Sequence, residues 1–147
     1  GKSLVLSGLL AVFGAALPAM VGATCTKANV AGTWYAMGVS GDAYLGELSE
    51  IDRCKLVVST SGAIVRSGSS CVYRSARGQS KWNVTGGSMR VFSECGVTGS
   101  INVCDSGYCS TIKIQFAQMA RDKRTFSMVG YLDIDPDVIF FYKLVKQ

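Results

Sequence analysis

The sequence contains no histidine, the side chain that most often acts as a general base or binds a metal ion. A Ser-His-Asp or Cys-His catalytic site is therefore excluded. Charged residues make up only 17% of the chain, and the basic ones form no run that would indicate nucleic acid binding. We accordingly expect a protein that is not an enzyme, that needs no cofactor or metal, and that does not bind nucleic acid.

The first segment of the 147-residue chain is typical of a secretory signal. Lys2 precedes an uncharged apolar stretch at residues 4–17, Pro18 ends this stretch, and the small residues at 21–23 suit cleavage. The stretch is shorter than the ~20 residues that a membrane span needs. We predict a signal peptide at residues 1–23, no stable membrane span after its removal, and a secreted mature chain, extracellular or periplasmic.

The six cysteines are typical of a disulfide framework, because their number is even and the chain is expected to be exported. No C-x-x-C pair of the kind that binds zinc is present. One pair flanks a glycine-containing turn, and a second pair lies on consecutive predicted strands. The pairs that we expect are Cys104–Cys109, Cys54–Cys71 and Cys25–Cys95. Other connectivities stay open among the 15 that six cysteines allow, and a lipid anchor on Cys25 is an alternative.

The body of the sequence alternates apolar and polar residues with the period of two that marks half-buried strands. The clearest run has Ile112, Ile114 and Phe116 on one face. Similar runs lie at residues 32–39, 54–60, 63–66, 71–75, 81–85, 88–94, 99–104, 125–132 and 138–145. Glycine- and serine-rich segments between them, such as 85–88, predict hairpin turns. We therefore predict one all-β domain at residues 24–147, an antiparallel up-and-down β-barrel of about eight strands stapled by disulfides.

The first predicted strand opens with Gly32-Thr33-Trp34-Tyr35, a Gly-x-Trp pattern followed by an aromatic residue. This segment resembles the first signature of the lipocalins and, more broadly, of the calycin barrels. The resemblance implies that Trp34 packs across the closed end of a barrel and that residues 41–53 form a loop over its open mouth. It also implies that a basic residue late in the chain, Lys143 or Arg124, stacks on the tryptophan.

The same resemblance implies a binding protein for a small, mostly apolar ligand, which the inward faces of the strands would surround. The residues that we expect to contact this ligand are Trp34, Met37, Phe116, Met128, Phe140 and Tyr142. Packing in an ordinary core is the alternative role for each of them, because aromatic and methionine side chains often serve to fill cores.

A second resemblance is to the small bacterial barrels that inhibit secreted metalloproteases. The matching features are Gly-x-Trp at Trp34, cysteines on the next two predicted strands, and Trp82 followed by Gly86. This resemblance implies a secreted protein-binding module, such as a protease inhibitor or effector, that acts through a mobile N-terminal strand at residues 24–30. Cys25 would hold that strand in place, which argues against this mechanism.

The remaining charged groups are expected at the surface. Glu47, Glu50 and Asp52 are predicted in a charged loop, although two of them could form the acid–base pair of a glycosidase. The alternating carboxylates at residues 133–137 lack the glycine and glutamate of an EF-hand, so a solvated turn is expected there. The basic residues around Arg77 are predicted to form another solvated turn.

Overall fold

The fold is known from a computed structural model, which describes residues 24–147. The strands are β1 (Gly32–Asp42), β2 (Glu47–Val58), β3 (Ser70–Ser75), β4 (Gly78–Val91), β5 (Val97–Asp105), β6 (Tyr108–Met119), β7 (Thr125–Leu132) and β8 (Asp135–Lys146), and a 3₁₀ helix, Lys27–Val30, precedes β1. All eight are antiparallel, each pairs with its neighbours in sequence, and β8 pairs with β1 to close the barrel. The predicted fold class is confirmed, whereas the predicted signal peptide at residues 1–23 lies outside the described residues.

The two ends of the barrel differ in how the strands are connected. The end that we call the hairpin end carries four short turns, at residues 43–46, 76–77, 106–107 and 133–134. The other end, which we call the helix end, carries the 3₁₀ helix and longer connections at residues 59–69, 92–96 and 120–124. The turn at 106–107 has two positive φ angles, 47° at Ser106 and 86° at Gly107, and such angles suit a two-residue hairpin.

Trp34 closes the helix end, as the resemblance to the lipocalins implied. Its side chain is fully buried, its ring packs edge-on against Phe126 with centroids 4.8 Å apart, and its Nε1 donates to the Val30 carbonyl oxygen at 2.7 Å. The 3₁₀ helix therefore lies across the barrel where the indole N–H needs an acceptor.

The basic residue that stacks on this tryptophan is Lys146, so the expectation of Lys143 or Arg124 is wrong. The Lys146 ammonium lies 4.9 Å from the Trp34 ring centroid and donates to the Asn29 carbonyl oxygen at 2.6 Å. Lys146 is the β8 residue directly paired with Trp34 in the sheet, whereas Lys143 is exposed on the outer face.

The three disulfides join the pairs expected from the sequence. Cys54–Cys71 and Cys104–Cys109 connect residues that lie opposite each other on neighbouring strands. Cys25–Cys95 ties the N-terminal segment to the β4–β5 connection. Three disulfides suggest an oxidising environment, extracellular or periplasmic.

Two predicted strands differ from the structure because of glycine. The predicted run at 81–85 and residues 88–91 of the next predicted run form one strand, β4, and the segment between them is a bulge rather than a hairpin turn. Gly86 and Gly87 adopt φ of 155° and 123° there, and a Cβ on Gly87 would lie 2.2 Å from the Ser100 carbonyl oxygen. The run at 63–66 forms only isolated bridges within the β2–β3 connection.

The expected loop over the mouth at residues 41–53 is also absent from the described chain. β1 continues to Asp42, four residues turn, and β2 begins at Glu47. Glu47, Glu50 and Asp52 are therefore strand residues, and the prediction of a loop is wrong for all three, although Glu47 is exposed as expected. Between residues 24 and 147, no helix has the length and apolar character to cross a membrane.

Candidate functional site

Four of the six predicted ligand contacts lie in the barrel interior. Trp34, Met128, Phe140 and Tyr142 are all buried, and they belong to one continuous cluster of apolar side chains. Phe140 and Tyr142 lie in β8 towards the hairpin end, whereas Trp34 lies at the helix end. Apolar side chains therefore fill the interior at the helix end. Polar side chains line the interior at the hairpin end.

The other two predicted contacts, Met37 and Phe116, lie on the outer face, so their placement in the interior was wrong. Met37 is 65% exposed. Trp34 and Ala36 point inward, and because successive side chains of a strand point to opposite faces, residue 37 points outward. Phe116 is 69% exposed although Ile112 and Ile114 point inward. The reason is a bulge between Ile114 and Phe116, which changes the parity of the strand.

A pocket of about 340 Å³ lies at the hairpin end. Its lining residues are Glu50, Tyr73, Ser75, Ala76, Arg77, Gly78, Gln79 and Ser80. They come from β2, β3, β4 and the turn between β3 and β4. We call this the hairpin-end pocket.

A buried carboxyl group lies on β2, two residues from the pocket-lining Glu50. Asp52 is only 3% exposed, and its Oδ2 accepts a hydrogen bond from the Tyr142 hydroxyl at 3.0 Å. The two residues flank Gly38 in the sheet, one on β2 and one on β8. A Cβ on Gly38 would lie 2.5 Å from Cδ1 of Tyr142, so the glycine makes room for the tyrosine ring to reach across β1.

Two further polar groups surround Asp52. Glu50 lies two residues away on the same face of β2, and its Oε2 accepts from the buried Ser40 hydroxyl at 3.2 Å. Burial raises the pKa of Asp52, although the nearby Ser40 hydroxyl and the hydrogen bond from Tyr142 oppose this rise. Burial, and then the charge of Asp52, raise the pKa of Glu50. Burial also raises the pKa of Tyr142 well above its ordinary value, so this tyrosine donates as a neutral phenol.

Aromatic side chains connect the pocket to the core. The rings of Tyr73 and Trp82 have centroids 5.0 Å apart, and those of Trp82 and Phe140 lie 5.8 Å apart. The Tyr73 hydroxyl donates to Asp105 Oδ2 at 2.6 Å, and this bond raises the pKa of Tyr73. Tyr73 lines the pocket, so a molecule in the pocket has an aromatic surface within reach, and the half-buried Trp82 lies behind that ring.

One of the carboxylates at residues 133–137, Asp133, has a structural role. Asp133 Oδ1 accepts from the Thr111 amide at 2.8 Å and from the Ser110 hydroxyl at 2.9 Å, and the first of these bonds does most to lower its pKa. Within the described part of the chain, no group of three or more His, Cys, Asp or Glu side chains could hold a metal ion.

The sequence reasoning missed this site because it placed Glu50 and Asp52 in a loop. One signal could have identified them. Glu50 and Asp52 lie four and two residues before Cys54, so in a strand they share the inward face with it. The contact between Asp52 and Tyr142 spans 90 residues and had no comparable signal.

Apolar side chains also form a row on the outside of the barrel. Ile51, Val39, Phe141, Val129 and Phe116 lie opposite one another on β2, β1, β8, β7 and β6 in turn. We call these five residues the outer apolar row. Ile51, Phe141 and Phe116 are 65%, 49% and 69% exposed, and a groove of about 840 Å³ runs beside Phe116 and Phe141.

The two surfaces offer different chemical groups. The hairpin-end pocket offers carboxyl, hydroxyl and aromatic groups, and the outer apolar row offers a flat apolar contact. No family model, curated protein or solved structure matches the chain.

Proposed function

We propose that the protein is a secreted, calycin-like binding protein that takes a small organic ligand in its hairpin-end pocket. The observation that carries this proposal is the change along the interior, from a continuous apolar core to a pocket lined by Glu50, Tyr73 and Ser80. A volume of about 340 Å³ lies within the usual range for small-molecule sites.

The ligand expected from the pocket is less apolar than the one expected from the sequence. Trp82 and Tyr73 supply an aromatic surface, whereas Glu50 and the hydroxyls supply hydrogen bonds. A ligand with a flat apolar body and a polar group fits this combination. The Gly-x-Trp opening and the basic residue on Trp34 support the calycin-like assignment.

The test is a screen of small aromatic and aliphatic compounds by NMR on the ¹⁵N-labelled protein. We expect binding compounds to shift the signals of Ser80, residues 76–77 and the Trp82 indole N–H, and to leave the Trp34 indole N–H unchanged. Ser80→Leu fills the pocket and should abolish the shifts. Ser127→Leu makes the same change on the exposed outer face and should preserve them. A screen without shifts at the hairpin end would refute the proposal.

The outer apolar row supports a second candidate function, a secreted protein-binding module such as a protease inhibitor. Large exposed apolar patches commonly mark protein interfaces. A mobile N-terminal strand does not supply the mechanism, because Cys25 is bonded to Cys95 and its amide donates to the Ser93 carbonyl oxygen at 3.0 Å. In this candidate the row itself contacts the partner.

A panel of secreted proteases tests this candidate. We expect stoichiometric inhibition of at least one protease, and loss of that inhibition in Phe116→Ser/Phe141→Thr. The double variant should remain folded because both rings are exposed. Absence of inhibition across the panel, or inhibition unchanged in the variant, would count against the candidate.

A further inference from the structure

The hairpin-end pocket has several carboxyl groups around it. Glu50 lines the pocket, Asp52 follows two residues later on the same face of β2, and Asp105 accepts a hydrogen bond from Tyr73, which also lines the pocket. Burial and the charges of Asp52 and Asp105 raise the pKa of Glu50, whereas the Ser40 hydroxyl lowers it. Because like charges repel in a half-buried site, this arrangement favours the arrival of a positive charge.

A second, independent observation concerns one oxygen atom of Asp52. The side chain is 3% exposed, and its Oδ2 is occupied by the Tyr142 hydroxyl at 3.0 Å. Its Oδ1 is buried and has no hydrogen-bond partner. Buried acceptors are nearly always satisfied, so this oxygen, on the inward face below Glu50, marks a place for a donor that comes from outside the chain.

The donor that fits is an organic one. No cluster suitable for a metal ion exists among residues 24–147. The wall of the site instead includes Tyr73, whose ring centroid lies 5.0 Å from that of Trp82, and aromatic faces attract ammonium groups. A protonated amine supplies both a positive charge and several N–H donors.

We propose that the hairpin-end pocket binds a small organic cation, a protonated amine attached to a flat apolar body. The ammonium group donates to Glu50 and Asp52, and the body packs against Tyr73 and Trp82. This inference rests on the proposed function, because it names the ligand class of the same site. Arg77 lines the rim and would favour an anion instead, so the test includes one.

Isothermal titration calorimetry at neutral pH compares three molecules of similar shape: tryptamine, which is cationic, 3-ethylindole, which is neutral, and indole-3-acetate, which is anionic. We expect tryptamine to bind about tenfold or more tightly than 3-ethylindole, because it forms charged hydrogen bonds in a desolvated site. Indole-3-acetate should bind most weakly.

Variants test which residues cause the preference for tryptamine over 3-ethylindole. Glu50→Gln and Asp52→Asn should each weaken tryptamine about tenfold and leave 3-ethylindole unchanged. Glu47→Gln and Asp137→Asn make the same chemical changes at exposed positions near the hairpin end and should leave tryptamine binding unchanged. Arg77→Gln should not weaken tryptamine.

The other possible outcomes contradict the cation proposal alone or the proposed function as well. Equal binding of tryptamine and 3-ethylindole, or tighter binding of indole-3-acetate that depends on Arg77, overturns the cation and leaves the proposed function intact. Failure of tryptamine to bind while compounds in the NMR screen do bind has the same meaning. Failure of every compound in both experiments refutes the proposed function as well.

Discussion

Asp52 has an unusual environment for a carboxyl group. It is a buried carboxyl group with one hydrogen-bonded oxygen and one oxygen without a partner. Such a group destabilises the folded protein, and residues of this kind are commonly retained where a ligand needs them. Stability and binding should therefore respond in opposite directions when this carboxylate is removed.

We expect Asp52→Asn to raise the free energy of unfolding at pH 7 by about 1–3 kcal/mol, the usual cost of an unsatisfied buried group. Burial raises the pKa of Asp52 in the folded state, so the stabilisation from its protonated form is full below the unfolded pKa and is lost as pH rises through the folded pKa. The variant should therefore lose less stability between acidic and neutral pH. Guanidinium unfolding across that range measures both effects.

The control for this prediction is Asp137→Asn, which changes an exposed carboxylate and should alter stability by less than about 0.5 kcal/mol. A destabilised Asp52→Asn variant would contradict the prediction and show that the hydrogen bond from Tyr142 stabilises the carboxylate by more than its burial and unpaired oxygen cost.

The strands explain why the site forms where it does. Gly38 lies between Asp52 and Tyr142 in the sheet, and its lack of a side chain leaves the surface of β1 free at that point. A Cβ there would lie 1.8 Å from the Phe141 carbonyl oxygen and 2.5 Å from the Tyr142 ring. The spacing between β1 and β8, and the reach of Tyr142 to Asp52, therefore depend on this glycine.

Gly38→Ala should cost about 3 kcal/mol, because the extra methyl group overlaps both the backbone and the ring. It should also displace Tyr142 from Asp52, which NMR of the Tyr142 ring would detect. Gly96→Ala is the matched control, since a Cβ there meets only side-chain atoms at 3.9 Å and should change stability by about 0.5 kcal/mol or less. Equal unfolding free energies for the two variants would contradict this role of Gly38.

Strand alternation made much of the fold predictable, and its interruptions account for the main errors. The inward faces of β7 and β8 follow from Phe126, Met128, Phe140 and Tyr142 alone. Bulges carry no such pattern, so Phe116 was assigned to the wrong face. Which side chains meet across strands depends on register.

At the scale of the whole molecule, the disulfides reinforce a small barrel in three different ways. Cys104–Cys109 closes a single hairpin, Cys54–Cys71 closes a loop of intermediate length, and Cys25–Cys95 spans 70 residues. Because cross-linking restricts the unfolded chain more strongly when the loop is long, the three bridges should differ in their contribution to stability.

Replacing each pair by alanine should lower the free energy of unfolding by about 4 kcal/mol for Cys25–Cys95, about 3 kcal/mol for Cys54–Cys71 and about 2 kcal/mol for Cys104–Cys109. Guanidinium unfolding of the three double variants measures this order. A loss at Cys104–Cys109 as large as that at Cys25–Cys95 would show that the bridges act through native packing rather than through chain entropy.

The closure of the barrel through β1 and β8 has a consequence for the time course of folding. Seven of the eight strand pairings join neighbours in sequence, but β1 pairs with a strand about a hundred positions later. Such distant contacts form slowly, so hairpins can assemble before the seam does. Until residues 138–146 arrive, both β1 and β7 expose unpaired edges, and the nascent chain is at its most prone to pair with other chains.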